Sequence, residues 1–511
     1  MMNAQTSEQI EPISEPESLL AAPGVPEGVP LCVDLDGTLV KSDTLIDSVL
    51  LIARHRPAAL LSIPGWIAQG RAAFKRHVTA TVTLDIEHLP YNRPLLEWLR
   101  AEAGRGREIY LATAADIHLA ERIAAYLGIF RGVLASDGSL NLAGGNKLAA
   151  FRERFGDSFC YIGNAKPDTE LLRACVAPMA ANPHRALTAR LRSSGTKLSA
   201  TFDDRPPAIK SWLKAIRLHQ WAKNTLIFVP MLLAHAWSFT HLVEAGVAFL
   251  SFGMCASGTY ILNDLLDLEA DRRHPSKRRR PFAAGDLSAI AGTLVVVLLM
   301  TLAVTLAVAL PWIVRALPAD EPLLQPYKYL GWLLIYTVTT LTYSLYLKRV
   351  VLLDVFLLSG LYTVRILAGS AATGVAISAW LAGFSIFFFL SLAFVKRFSE
   401  LEGLIARGGT ATTGRGYKVG DLEQLRALGT GAAYASVVVL TLYINDFKTN
   451  FLYNHPVRLW LVVPVLLLWL SQVWMLAGRG EMHDDPVVWA ITSPRSLMMG
   501  VLMAVVIWWA L

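Results

Sequence analysis

Apolar residues are spread unevenly along this chain. After about residue 215 they collect into long runs: Gly292–Val314, Tyr329–Leu347, Ile366–Val395 and Leu459–Ala477 contain no Asp, Glu, Lys or Arg. A bilayer span needs ~20 such residues, and Ile366–Val395 is long enough to be shared by two. The pattern predicts about nine helical spans, near 219–238, 243–264, 287–312, 329–347, 351–371, 377–395, 428–445, 458–477 and 493–511. The first half reads differently. Short apolar strands, one before Asp34, one at Glu108–Ala112 and one at Phe159–Ile162, alternate with helical stretches. That alternation predicts a parallel sheet whose strand ends form the usual site. The chain is therefore expected to be multidomain: an N-terminal α/β domain and a C-terminal all-α transmembrane bundle.

The 511 residues suffice for two or three domains, and 54% hydrophobic against 17% charged residues is a membrane-like balance. The formal charge of +7 is less informative than its placement. With a cytoplasmic N-terminus, the basic segments Arg272–Arg280, Lys348-Arg349, Lys396-Arg397 and Arg407–Lys418 all fall inside, and the sparse loop 313–328 falls outside. This obeys the positive-inside rule and predicts a multi-pass protein of a bacterial-type inner membrane with its soluble domain and active sites cytoplasmic. Anionic lipid and phosphorylated substrates explain the basic balance better than nucleic acid does. The four cysteines, Cys32, Cys160, Cys175 and Cys255, lack paired or metal-ligand spacing and read as buried thiols of a reducing compartment. Residues 1–29, rich in Glu, Pro and Ser, read as a disordered tail.

The sharpest chemical signal is Asn263-Asp264-Leu-Leu-Asp267-Leu-Glu-Ala-Asp271, at the end of one apolar run. Aspartates at i, i+3 and i+7 fall on one helix face and repel one another unless cations sit among them. Hard oxygen ligands in that number suit Mg²⁺, which commonly holds phosphates as well as protein. Lys277, Arg278, Arg279 and Arg280 follow directly, placed to grip the same anion. A solvated helix end is the plainer alternative.

A second signal lies in the soluble half. Asp34-Leu-Asp36-Gly37-Thr38 follows an apolar strand, Thr113 follows the next, Lys147 sits in a helical stretch, and Gly163-Asn164-Ala165-Lys166-Pro167-Asp168 ends a further strand. In this order the motifs resemble the haloacid dehalogenase (HAD) superfamily of phosphohydrolases, over residues 30–180. The resemblance implies a Rossmannoid domain with a small helical cap at about 43–95. It implies Asp34 as nucleophile, Asp36 as general acid/base, Thr113 and Lys147 as holders of phosphoryl oxygens, and Asp34, Asp36 and Asp168 as Mg²⁺ ligands. Asn164 stands where the family often has the first of two acids. A basic linker at 181–207 is expected to join the halves.

The NDxxDxxxD motif resembles that of the UbiA superfamily of intramembrane prenyltransferases, over about 208–511. His274-Pro275, Lys277, Arg280-Pro281 and Ala284-Gly285 extend the likeness. The resemblance implies a nine-helix bundle in which Asp264, Asp267 and Asp271 bind a Mg²⁺-diphosphate, with Asn263 and His274 beside them. The second aspartate motif usual on the sixth helix is replaced by Lys396-Arg397-Phe398-Ser399-Glu400. A pair of cations there can recruit an anion without a metal. Lys223, Tyr343, Lys348, Asp354, Arg365 and Tyr417 point the same way, and Arg365 inside a span is costly enough to be functional or tightly paired, with Asp354 or a carbonyl. Together these resemble the decaprenyl-phosphate phosphoribosyltransferase branch of the superfamily.

The expected activity is thus bifunctional. The membrane domain would move 5-phosphoribosyl from phosphoribosyl diphosphate to a polyprenyl phosphate, and the HAD-like domain would remove the product's 5-phosphate, each with Mg²⁺. An alternative is isoprenyl transfer to an aromatic or other small acceptor. A lipid-phosphate transporter or binding module is a third, non-enzymatic reading.

Overall fold

A computed structural model of the chain describes residues 25–316, 327–406, 408, 415–446, 452–482 and 486–511. Residues 1–24 of the expected tail and most of the expected loops 313–328 and 407–418 lie outside these. The chain divides into two compact bodies. The first runs to Ala215 and also takes in Asp264–Thr293; the second comprises Ile216–Asn263 and Leu294–Leu511.

The first body is built on a six-stranded parallel sheet of order β3-β2-β1-β4-β5-β6. The strands are β1 Leu31–Val33, β2 Ile109–Asp116, β3 Gly132–Ser136, β4 Cys160–Gly163, β5 Ala177–Ala181 and β6 Ala200–Phe202. β1 lies at the centre, Leu31 pairing with Ile109 on one side and Cys160 on the other. Strand alternation sends Leu31 and Val33 into one apolar cluster and Cys32 into another, so both faces are covered, as a parallel sheet requires. Helices Arg93–Gly104, Ile117–Leu127, Gly145–Phe155, Thr169–Ala174 and Arg185–Ser193 lie between the strands in sequence. Local chemistry sets their ends. Asn92 Oδ1 accepts the Leu95 N–H at 3.1 Å, and Asp116 Oδ1 accepts that of His118 at 3.1 Å. The expected cap region is helical over Thr44–His55, Ile63–Ala68 and Arg71–Thr81.

Two boundaries differ from expectation. Residues 181–207 are not a linker: they carry Arg185–Ser193 and β6. Leu187 and Leu191, one helical turn apart and buried, are the apolar stripe that four arginines in the same stretch obscure in the sequence. The segment Asp264–Thr293, expected within the membrane domain, belongs to the first body.

The second body is helical. Among the described residues six helices are long and apolar enough to cross a membrane: Phe239–Leu266, Ala289–Arg315, Leu353–Thr373, Ala379–Ile405, Val419–Ile444 and Pro456–Gly478. At the other three expected spans the helices are shorter or less apolar, so the expected count of nine is not reached among the described residues. The first is a 3₁₀ stretch Leu218–Phe228 running into the short helix Val229–Leu233, where Pro230 sits in the first turn. Lys328–Leu345 is an 18-residue helix diluted by Thr and Tyr, and Pro494–Ala510 has 17 residues. Gly369 packs directly on the Ile227 carbonyl, a backbone approach that any side chain would block. The four cysteines are free and buried.

Candidate functional site

Three polar clusters stand out. The first lies at the carboxyl end of β1. Asp34 leaves the strand buried, and Lys147, from the helix Gly145–Phe155, places Nζ 2.8 Å from Asp34 Oδ1. Nζ also donates to the Tyr161 hydroxyl at 3.2 Å, and that hydroxyl donates to Asp168 Oδ1 at 2.8 Å. Asp36 Oδ1 accepts the Thr44 N–H at 2.8 Å. Gly37, at φ +76°, is pressed against the Asn164 side chain, so the turn admits no Cβ. Thr113 lies inside β2, not at its end, and its Oγ1 accepts the Ala115 N–H at 3.0 Å.

Burial pushes the Asp34 carboxyl up to about 6, against the opposing pull of Lys147. Asp36 rises to about 7 through burial and the nearby Asp43 carboxylate, opposed by the Thr44 N–H. Burial acts to lower Lys147, but the charges of Asp34, Asp168 and Asp36 outweigh it and raise its pKa. Two carboxyls that change charge near neutrality beside a fixed cation can share acid, base and nucleophile roles. Asp168 is otherwise engaged: its Oδ2 accepts the Asn164 and Ala165 N–H groups at 3.0 and 2.9 Å. Its expected service to a metal competes with the loop it closes.

The second cluster is the acidic stripe, and its geometry corrects the expected single helical face. The helix Phe239–Leu266 stops before Asp267, and Leu268–Arg273 begins after it. Asp264 and Asp271, both buried, converge on one guanidinium: Arg280 Nη1 lies 2.9 Å from Asp264 Oδ1 and 2.7 Å from Asp271 Oδ2. Asp267 pairs instead with Arg54 at 3.2 Å. Burial raises the Asp271 pKa, opposed by Arg280. His274 turns inward on its own loop, its Nδ1 accepting the Ser276 N–H at 3.2 Å, and Lys277 is exposed.

No group of three or more His, Cys, Asp or Glu side chains among the described residues is arranged to hold a metal ion. The physical reason is visible in both clusters: arginines hold the stripe, and Tyr161 and backbone N–H groups hold Asp168. Two convergent buried carboxylates nevertheless suit Mg²⁺, which takes one or two from protein and the rest from phosphate and water.

The third cluster lies in the second body. Arg397, buried on the helix Ala379–Ile405, does not stand free to recruit an anion as expected. Its Nε lies 2.7 Å from Asp354 Oδ2 without hydrogen-bond alignment, and its Nη1 pairs with Glu400. Arg415 also meets Glu400, at 2.9 Å, while Tyr417 donates to Asp354 and Tyr343 contacts Arg397 Nη2 at 3.5 Å. Arg365 is not paired with Asp354: it donates to Asn224 Oδ1 at 2.9 Å, to the Leu361 carbonyl and to the Tyr336 hydroxyl at 3.3 Å. Lys223 lies over the Tyr362 ring, whose centroid is 5.6 Å away. Asn263, Lys348 and Lys396 are partly buried in the same body.

Sequence reasoning missed Tyr161, Arg54 and Lys75. Lys75 donates to the Ala114 carbonyl at 2.6 Å and acts electrostatically on Asp36. Tyr161 was traceable, being a polar-tipped residue in a strand leading to the Gly163-Asn164 turn; Arg54 and Lys75 had no signal.

Residues 225–493 match the sequence model of the UbiA prenyltransferase family. An uncharacterized protein, y4nM, of Sinorhizobium fredii is 36% identical over 479 residues, covering 93% of this chain and 90% of that protein. Nodulation protein NoeC of Azorhizobium caulinodans is 33% identical over 56% of this chain and 89% of its own length. A decaprenyl-phosphate phosphoribosyltransferase of Mycobacterium tuberculosis is 34% identical over 214 residues, 40% of this chain and 65% of that enzyme. The chain belongs to the UbiA prenyltransferase family, and is an integral membrane protein fused to a parallel-sheet body.

Proposed function

We infer that this is a bifunctional membrane enzyme: a phosphoribosyltransferase acting on a polyprenyl phosphate, joined to a HAD-type phosphatase. The observation that carries the transferase reading is the convergence of Asp264 and Asp271 on Arg280. Opposed charges at that spacing are what a metal-bound diphosphate would exchange with, the carboxylates taking the metal and Arg280 a phosphate oxygen. The relative named as a phosphoribosyltransferase supports the choice of transferred group. Mg²⁺, when bound, would supply charge to stabilise the departing diphosphate. Asp267 and Lys277 add charge to the same segment, and Lys223, Arg365 and Lys396 are the candidates to steer a lipid phosphate, whose oxygen attacks the anomeric carbon as diphosphate leaves.

In the phosphatase reading, the Asp34 carboxylate attacks the 5-phosphate and Asp36 gives its proton to the leaving ribose oxygen. Asp36 then takes a proton from the water that hydrolyses the aspartyl phosphate, while Lys147 holds the phosphoryl oxygens. Asp34 and Asp36 are the remaining metal candidates of that centre, with Asp168 shared with its own loop. Fusion keeps the second centre near a product that cannot leave the membrane. The basic segments around them support a cytoplasmic side for both centres.

The test uses purified protein, phosphoribosyl diphosphate and polyprenyl phosphate, with and without Asp34→Asn. The 5-phosphorylated lipid should accumulate only in the variant; identical products from both forms refute the coupling. Consumption of isoprenyl diphosphates without use of phosphoribosyl diphosphate would establish prenyl transfer instead.

A further inference from the structure

We propose that Arg272, the residue after the acidic stripe, is a positioning residue of the Asp34–Asp36 centre, acting through Asp47 and Ser42. The proposal rests on the phosphatase reading of that centre. Its basis is a closed set of bonds inside the first body. Arg272 Nη1 lies 2.8 Å from Asp47 Oδ2, Nη2 donates to Ser42 Oγ at 3.1 Å, and Nε donates to the Ala283 carbonyl at 3.2 Å. Ser42 Oγ donates to the same Asp47 oxygen at 2.7 Å. Arg272 and Asp47 are 6% and 3% exposed, so the pair is shielded from water.

This triangle grips the turn that follows Asp36. The Gly37 N–H donates to the Ser42 carbonyl at 3.2 Å, and the Asp36 carboxylate is held by the Thr44 N–H, the first of the helix that carries Asp47. A second tether acts on the same turn: Lys41 Nζ lies 3.0 Å from Asp286 Oδ1. Gly285, at φ +71°, comes so close to Lys41 that an added Cβ would meet its Cβ at 2.7 Å. Asp36 therefore keeps its place through bonds that end on Arg272 and Asp286, residues that lie within the stretch matched by the UbiA family. Buried ion pairs contribute little net stability but fix one arrangement among several. A displacement of about 1 Å at a reacting group costs up to ~100-fold in rate.

Arg272 touches no reacting atom in this scheme, so its loss should act on turnover and not on substrate binding. The test is p-nitrophenyl phosphate hydrolysis by the full-length protein in detergent, comparing wild type with Arg272→Gln, Arg272→Lys, Asp47→Asn, the Gln/Asn double variant and Asp34→Asn. Arg272→Gln should lower kcat roughly 10- to 100-fold with KM within about twofold. Arg272→Lys should recover part of the loss, because it keeps a charge on Asp47. The double variant should be no worse than the poorer single one, since both break the same link. Amide exchange should quicken over Ser42–Leu51 in Arg272→Gln while the amides of β1, β2 and β4 stay protected. Unchanged kcat in Arg272→Gln, beside an active wild type and an inactive Asp34→Asn, overturns the link alone. Loss of sheet protection together with activity assigns Arg272 to folding and also overturns it. A wild type without phosphatase activity removes the reading of the centre itself, and with it any positioning role.

Discussion

The Asp34 centre and the acidic stripe at Asp264–Asp271 both gather carboxylates around cations, but they balance charge differently. At Asp34 the buried Lys147, with the partly buried Lys75 acting on Asp36, faces a cluster of acids, and backbone strands fix the geometry. Its carboxyls are left undecided, pushed up to about 6 and about 7. In the stripe, Arg280 pairs with Asp264 and Asp271, and Arg54 with Asp267. A centre with too few cations is suited to moving protons, and one whose carboxylates are already paired is suited to exchanging cations.

The largest test of this contrast is Asp34→Asn. Removing the proposed nucleophile should cost at least about 1000-fold in phosphatase kcat, while formation of the proposed phosphoribosyl lipid continues. Loss of both activities would show that the two centres do not divide the work. The complementary change is Asp264→Ala or Asp271→Ala, each of which removes one ligand and leaves Arg280 with a single partner. Transferase kcat/KM should fall by roughly 100-fold or more in a radiolabelled phosphoribosyl assay, with phosphatase activity toward p-nitrophenyl phosphate little changed.

How far the sequence disclosed these centres depended on whether their residues were local. Asp34, Asp36 and Gly37 lie within one turn, and Asp264, Asp267 and Asp271 within two, so both groups could be picked out locally, with their expected roles coming from family resemblance. The central strands were legible because three consecutive apolar residues led straight to Asp34. Arg54, Lys75 and the Arg272–Asp47 pair were not legible, since each reaches a partner distant in sequence that only the folded chain supplies. The Arg397 half of the Lys396-Arg397 reading was misjudged for a related reason: Asp354, over forty residues earlier, already pairs with Arg397. β6 was hidden by its length, three residues among basic and Ser-rich neighbours.

A smaller effect separates Lys147 from the stripe's arginines. Lys147→Met should lower phosphatase kcat by about 100-fold, because the phosphoryl oxygens lose their fixed cation. The same change leaves Asp34 buried without its partner and should raise its pKa further, shifting the acidic limb of the pH–rate profile upward. Arg280→Met, by contrast, should leave that limb where it is. A common shift in both variants would mean that the two centres share one field, against the comparison drawn above.

The smallest effect is on stability, and its sign follows from proton counting. Asp34 titrates at about 6 in the folded protein, against ~3.9 for an ordinary aspartate in the unfolded chain. Between those values the folded state holds a proton that the unfolded state has released, so folding grows less favourable as pH rises through the window. Below about pH 4 both states are protonated and the group contributes nothing; above about pH 6 the full cost of a buried carboxylate is present, reduced by Lys147. Asn at position 34 carries no such cost. The thermal midpoints of wild type and Asp34→Asn, measured in chelator so that no cation shields the site, should therefore nearly coincide at pH 4. By pH 7 they should separate by a few degrees in favour of the variant. A gap that closes with rising pH would mean that the Lys147 ion pair outweighs burial, making the centre a stabilising pair much like the Arg280 stripe.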